Sequence, residues 1–156
     1  MGATAGVAKE QIVLADWDEW LLFTLEGQQY AVNVLQVREI LTGGRLTPVP
    51  QAPEFVLGLI NLRGSIVTVV DARRRLALPT RPPQESDWTV IIDVNDQAVG
   101  ILVDQVSEVL AFDSARIEAM RGNEAGEEKR HVKGVVQTDD GMLIVLDIES
   151  LVGLKY

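Results

Sequence analysis

The sequence predicts an all-β protein, mainly β with short helices, folded as two small barrel-like lobes. Three observations predict it: Val- and Ile-rich segments with strand-like alternation lie between short turn signals, helix signals are few and brief, and the chain repeats itself from its first half to its second. A length of 156 residues suits one compact unit with a sizeable core.

The elements follow in order. Residues 20–25 alternate, with Leu21, Phe23 and Leu25 on one face, and Glu26-Gly27 turns the chain into a second strand over 29–33. Residues 34–41 read as one or two helical turns. Another turn of helix is expected over 53–57, with Pro53 at the favoured first position and Gly58 as the stop. Strands follow over 58–61 and 65–70, and Asp71 can cap a helix through Arg73, Arg74 and Arg75 to Leu78, ahead of Pro79. The Pro-containing stretch 80–87 reads as a solvated connection between the halves. Strands over 89–94 and 99–103 are joined by Asn95-Asp96, and a further strand covers 108–112. The last pair, over 132–137 and 142–147, is joined by Asp139-Asp140-Gly141, and Asp147 can cap a final helix over 149–154. The predicted organisation is therefore a flexible tail over 1–15, then a domain of two lobes over 16–156 with a connection near 79–87.

The repeat ties these elements together. Gln36-Val37-Arg38-Glu39-Ile40-Leu41 and Gln105-Val106-Ser107-Glu108-Val109-Leu110 share Gln, Val, Glu and Leu, and each follows a hairpin that opens near a tryptophan, Trp20 or Trp88. Gly58 precedes Asp71 by the same interval as Gly134 precedes Asp147, with two strand candidates in each interval around Gly64 or Gly141. Each lobe is expected to end in a short helix.

Composition removes several function classes. With 14 Lys and Arg against 23 Asp and Glu the net charge is −9, which argues against nucleic acid as the main partner. Cysteine is absent, so disulfides, thiolate metal sites and Cys nucleophiles are excluded. The longest apolar run, 142–146, is far too short to span a membrane, and no secretion signal opens the chain, so a cytoplasmic protein is expected. His131 is the single histidine, lies in a charged stretch, and reads as a solvated loop residue rather than a metal ligand or a triad member. No Gly-x-Ser-x-Gly elbow, P-loop or dinucleotide fingerprint is present, and Asp139-Asp140-Gly141 reads as a turn rather than a calcium loop. No catalytic, metal or cofactor-binding residue is assigned. Binding is the work that remains. A small-molecule-binding or hydrolytic barrel using the equivalently placed Glu39 and Glu108 is the alternative. Arg73, Arg74 and Arg75 read as solvated cations.

The stretch Gln29-Tyr30-Ala31-Val32-Asn33-Val34-Leu35-Gln36-Val37-Arg38-Glu39-Ile40, followed by Gly58-Leu59-Ile60-Asn61-Leu62-Arg63-Gly64-Ser65-Ile66-Val67-Thr68-Val69-Val70-Asp71, resembles the CheW family of chemotaxis coupling proteins. The resemblance continues through Val99-Gly100-Ile101-Leu102-Val103-Asp104 and covers about residues 20–151. It implies two SH3-like five-stranded barrels and a non-catalytic adaptor in the cytoplasm, associated with receptor arrays at the inner membrane face. It also implies two partners: the regulatory domain of the histidine kinase CheA, and the helical tips of methyl-accepting chemotaxis receptors, docked in a groove between the lobes. By motif position, Val37, Glu39, Gly58, Arg63 and Val109 fall in the coupling segments, with core packing the alternative for Val37 and Val109. Arg63 can form a bidentate pair with Glu39 that fixes one wall of the groove, which a lysine would not reproduce; the alternative is that Arg63 holds its hairpin turn or satisfies loop carbonyls. Gly58 and Gly64 are expected to serve backbone geometry.

Overall fold

A computed structural model describes residues 17–43, 45–119 and 131–153, so the expected tail over 1–15 lies outside the described residues. The elements are β1 (Trp17–Leu25), β2 (Gln28–Asn33), a 3₁₀ turn η1 (Val34–Gln36), β3 (Val37–Thr42), β4 (Val56–Leu62), β5 (Ser65–Asp71), and helix α1 (Ala72–Arg75). The second half supplies β6 (Trp88–Val94), β7 (Gln97–Val103), β8 (Gln105–Asp113), η2 (Ser114–Arg116), β9 (Glu118–Ala119), β10 (Val132–Thr138), β11 (Gly141–Leu146), and helix α2 (Ile148–Val152). The fold is mainly β, in two sheets that form the two lobes. One has the order β8-β1-β2-β11-β10-β9 and the other β3-β6-β7-β5-β4.

Neither sheet is one half of the sequence. The first hairpin of each half joins the later strands of the other half: β1 and β2 pair with β8 and β11, while β6 and β7 pair with β3 and β5. The chain changes sheet at η1 and again at Asp104, whereas residues 79–87 connect α1 to β6 along the path of one sheet. The repeat holds to the level of register. Leu22 faces Glu108 and Ala31 in one sheet as Ile91 faces Glu39 and Gly100 in the other. A register shift falls at the same place in both, between Leu22 and Phe23 and between Val37 and Glu39. This register sets Trp20 opposite Thr89 in the repeat, with Trp88 one position earlier, so the two tryptophans are neighbours of equivalence rather than equivalents.

Turn chemistry accounts for the hairpins. Glu26-Gly27, Arg63-Gly64 and Asn95-Asp96 each place two consecutive residues at positive φ, the backbone of a two-residue hairpin whose twist matches its strands. Both expected caps form: Asp71 accepts from the backbone N–H groups of Arg73 and Arg74, and Asp147 from that of Ser150. Two helix expectations are corrected. Only residues 34–36 turn, held by the Asn33 side chain accepting from Leu35 N–H at 2.9 Å, and the β-branched residues beyond join β6 as β3. At 53–57 the Val56 N–H reaches the Pro53 carbonyl at 2.9 Å, closing a turn, and Val56 already opens β4.

One hydrophobic core is common to the two sheets. Leu21, Phe23, Tyr30 and Val32 meet Val70, Val90, Ile92, Val99 and Ile101, with Ile148 and Leu151 of α2 closing it. A second core lies within the first sheet, where Trp20 stacks on Phe112 with centroids 5.1 Å apart, among Leu22, Ala31, Val136 and Leu143. Both faces of β1 are therefore buried, which ties the lobes into one body.

Candidate functional site

The most specific motif, Asn61-Leu62-Arg63-Gly64, folds as the tip of the β4–β5 hairpin. Arg63 takes φ 51 and Gly64 φ 86, and the Asn61 side chain accepts from Gly64 N–H at 2.9 Å. From this tip the Arg63 guanidinium crosses to β3, where Nη1 lies 2.7 Å from Glu39 Oε1 and Nη2 donates to Oε2 at 2.7 Å. β3 and β4 are the opposite edges of the five-stranded sheet, so this bidentate pair staples the sheet's open seam. Hydrogen bonding and charge from Glu39 hold the guanidinium above its ordinary pKa. Glu39 is thereby committed to Arg63, and Glu108, exposed on β8 of the other sheet, shares no carboxylate site with it.

The other expected site residues separate by role. Val37 stands on β3 two positions before Glu39, half-buried, and packs on the common core. Gly58 is buried in β4 where the backbone of Thr47 crosses it: Thr47 and Leu59 exchange N–H···O bonds of 2.8 Å, and a Cβ on Gly58 would lie 2.6 Å from the Thr47 carbonyl oxygen. Its role is to admit that crossing strand. Gly134 is its counterpart, crowded by the backbone of Glu118 in β9. Val109 is 50% exposed on β8, the edge strand of the first sheet, and the register makes Ile40 rather than Val37 its equivalent. The structure thus brings Glu39, Arg63 and Val37 to one edge and leaves Val109 on the other lobe. Beside Arg63 a hollow of about 430 Å³ is lined by Arg38, Leu62 and Ile66, and Ile66 is largely exposed.

Two sequence expectations do not hold. His131 is buried, with Nδ1 2.7 Å from Ser150 Oγ, because the backbone of Asp147 returns to it through a 2.8 Å bond to its carbonyl. The arginines of α1 are not simply solvated. Arg73 is buried in an ion cluster, Arg75 stacks over Phe55 at 4.2 Å and donates to the Leu151 and Ser150 carbonyls, and Arg74 alone remains at the surface, paired with Glu54. The cluster around Arg73 includes Glu26, Arg81, Asp87 and Asp104, none of them a site residue expected from the sequence. The available signal was Asp104, a charge set between two apolar strands. Among the described residues no group of three or more His, Asp or Glu could hold a metal ion, and no helix is long and apolar enough to cross a membrane.

Comparison with known proteins agrees with this architecture. The CheW-like domain family matches residues 19–155. The chain is 32% identical to the chemotaxis protein CheW of Rhizobium meliloti (strain 1021) over 133 residues, 85% of this chain and 86% of that one. It is 28% identical to CheW of Bacillus subtilis (strain 168), over 86% of each chain. The crystal structure of the scaffolding protein TtCheW from Thermoanaerobacter tengcongensis superposes with a TM-score of 0.79 at 29% identity, covering 88% of this chain and 94% of that one. The exchanged-hairpin fold, the stapled Asn61 to Gly64 motif and these likenesses lead to one conclusion: the chain belongs to the CheW family of non-catalytic chemotaxis adaptors.

Proposed function

We propose that this chain joins methyl-accepting chemotaxis receptors to the histidine kinase CheA, holding the receptor tip and the kinase regulatory domain at once within arrays at the inner membrane face. The observation that carries this reading is the Arg63–Glu39 staple, which fixes the β4–β5 tip against the β3 edge and so presents Glu39 and Arg63 as one formed surface, with half-buried Val37 beside it on β3. Gly58 supports that surface from within, by letting Thr47 close over β4. Val109 offers a second, apolar contact on the other lobe. Two separate surfaces on one folded body suit a bridging protein, since each partner can then bind without displacing the other.

The test is direct binding of the receptor's cytoplasmic hairpin and of the kinase regulatory domain, taken from the same genome, by calorimetry. The wild-type chain is expected to bind each alone and both together. Val109→Glu changes an exposed side chain, so it should weaken one of these interactions while leaving Tm unchanged. Failure to bind either partner would overturn the proposal.

A further inference from the structure

We infer that the ion cluster centred on Asp104 is a latch that fixes the angle between the two lobes. Asp104 stands where the chain crosses from one sheet to the other. Its carboxylate accepts from Arg73 Nη2 at 2.7 Å to both oxygens, from Arg81 Nη2 at 3.0 Å, and from the Glu26 backbone N–H at 3.0 Å. Its own N–H donates to the Thr24 carbonyl at 3.0 Å. Arg73 also donates to the Glu26 carboxylate and, at 2.9 Å, to the Pro79 carbonyl. Arg81 forks onto Asp87 with bonds of 2.9 and 2.6 Å. Glu26 belongs to the β1–β2 turn of the first sheet, while Arg73, Arg81 and Asp87 belong to α1 and the 79–87 segment of the second. One carboxylate therefore gathers groups from both lobes.

The repeat supplies an internal control. The position equivalent to Asp104 is Leu35 in η1, two residues before Val37 as Asp104 is two before Val106, and Leu35 is 87% exposed. The equivalents of Glu26 and Arg73 are Asn95 and Glu149, so the Glu26–Arg73–Asp104 grouping is not repeated there. The space differs accordingly. The latched end keeps a gap of about 10 Å³ among Arg73, Arg81, Asp87 and Asp104. The equivalent end, lined by Asn95, Gln97, Asp147 and Glu149 together with Arg75 and His131, opens into a cavity of about 530 Å³. Arg75 also crosses between lobes, donating to the main-chain carbonyls of α2. The two lobes are thus tied at both ends, at one of them through the Asp104 carboxylate. Arg73 suits the task because its planar fork meets both Asp104 oxygens while also serving Glu26 and Pro79, four bonds against the three N–H donors of a lysine.

The absence of cysteine lets spin labels be placed at will, on Ser65→Cys in one sheet and Asp140→Cys in the other, both exposed turn or strand-end positions. Pulsed electron resonance on the isolated full chain reads the distance between lobes without any partner, so it stands apart from the coupling proposal. The parent should give one narrow distribution. Asp104→Asn and Glu26→Gln should broaden it and move it, while Glu54→Gln, which breaks only the surface pair with Arg74, should leave it as it was. Distributions for Asp104→Asn and Glu26→Gln that overlay the parent would overturn the latch. Should Asp104→Asn fail to fold, Glu26→Gln decides alone, since it alters one half-exposed carboxylate and removes no buried group.

Discussion

At the scale of single residues, three positions make separable demands. Gly58 is fixed by close approach, so Gly58→Ala must push Thr47 away from β4. It should cost roughly 1–3 kcal/mol in urea unfolding, the range for forcing extra atoms into a packed site. Arg63 and Glu39 act as a pair. If the staple's geometry is what matters, Arg63→Glu and Glu39→Arg should each weaken partner binding by calorimetry, and the double exchange should recover much of it; no recovery would mean that a partner reads the charges themselves. Asp87 carries the pH dependence. Burial raises its pKa, but hydrogen bonds from Arg81 and the Gln84 N–H, with the charges of Arg81 and Arg73, more than offset this and hold it below the ordinary value. A depressed carboxylate contributes stability above its unfolded pKa of about 4 and loses it as pH falls through the folded value, so the urea midpoint should drop between about pH 5 and pH 2. Asp87→Asn should show a shallower acid limb.

At the scale of elements, local chemistry was a good guide wherever a turn or cap decides the structure on its own. The hairpins at Glu26-Gly27 and Asn95-Asp96 and the caps at Asp71 and Asp147 were legible because positive-φ turns and N-cap acceptors act within a few residues. Residues 34–41 were misread because Val, Leu, Arg, Glu and Ile suit either a short helix or a half-buried strand, and pairing with β6 settles the matter from far along the chain. The caps are worth measuring. Asp71→Ala removes the acceptor for two N–H groups and should cost about 1 kcal/mol by chemical denaturation, with a larger loss pointing to displacement of Arg73 and Arg75 as α1 frays.

At the scale of the whole molecule, the repeat revealed two equivalent halves but not how they combine. Similarity between segments states which strands correspond; it is silent on partners, because a hairpin edge can pair with its own half or with the other at equal local cost. Exchange of the hairpins makes β1 central to both cores and the lobes inseparable. The candidate site was legible in part: the Arg63–Glu39 pair followed from motif position, whereas the burial of Arg73 and His131 did not, since charged stretches look alike in sequence whether or not the fold closes over them. The shared core matters for the proposed function, since a chain that held two partners at once would need both lobes in one folded body.

That coupling is most directly tested by reconstituting the receptor cytoplasmic fragment and CheA of the same genome, with and without this chain, and following kinase autophosphorylation. Receptor-dependent kinase activity is expected only when the chain is present, and should be reduced by Val109→Glu at unchanged Tm. Kinase activity that follows the receptor equally well without the chain would contradict it.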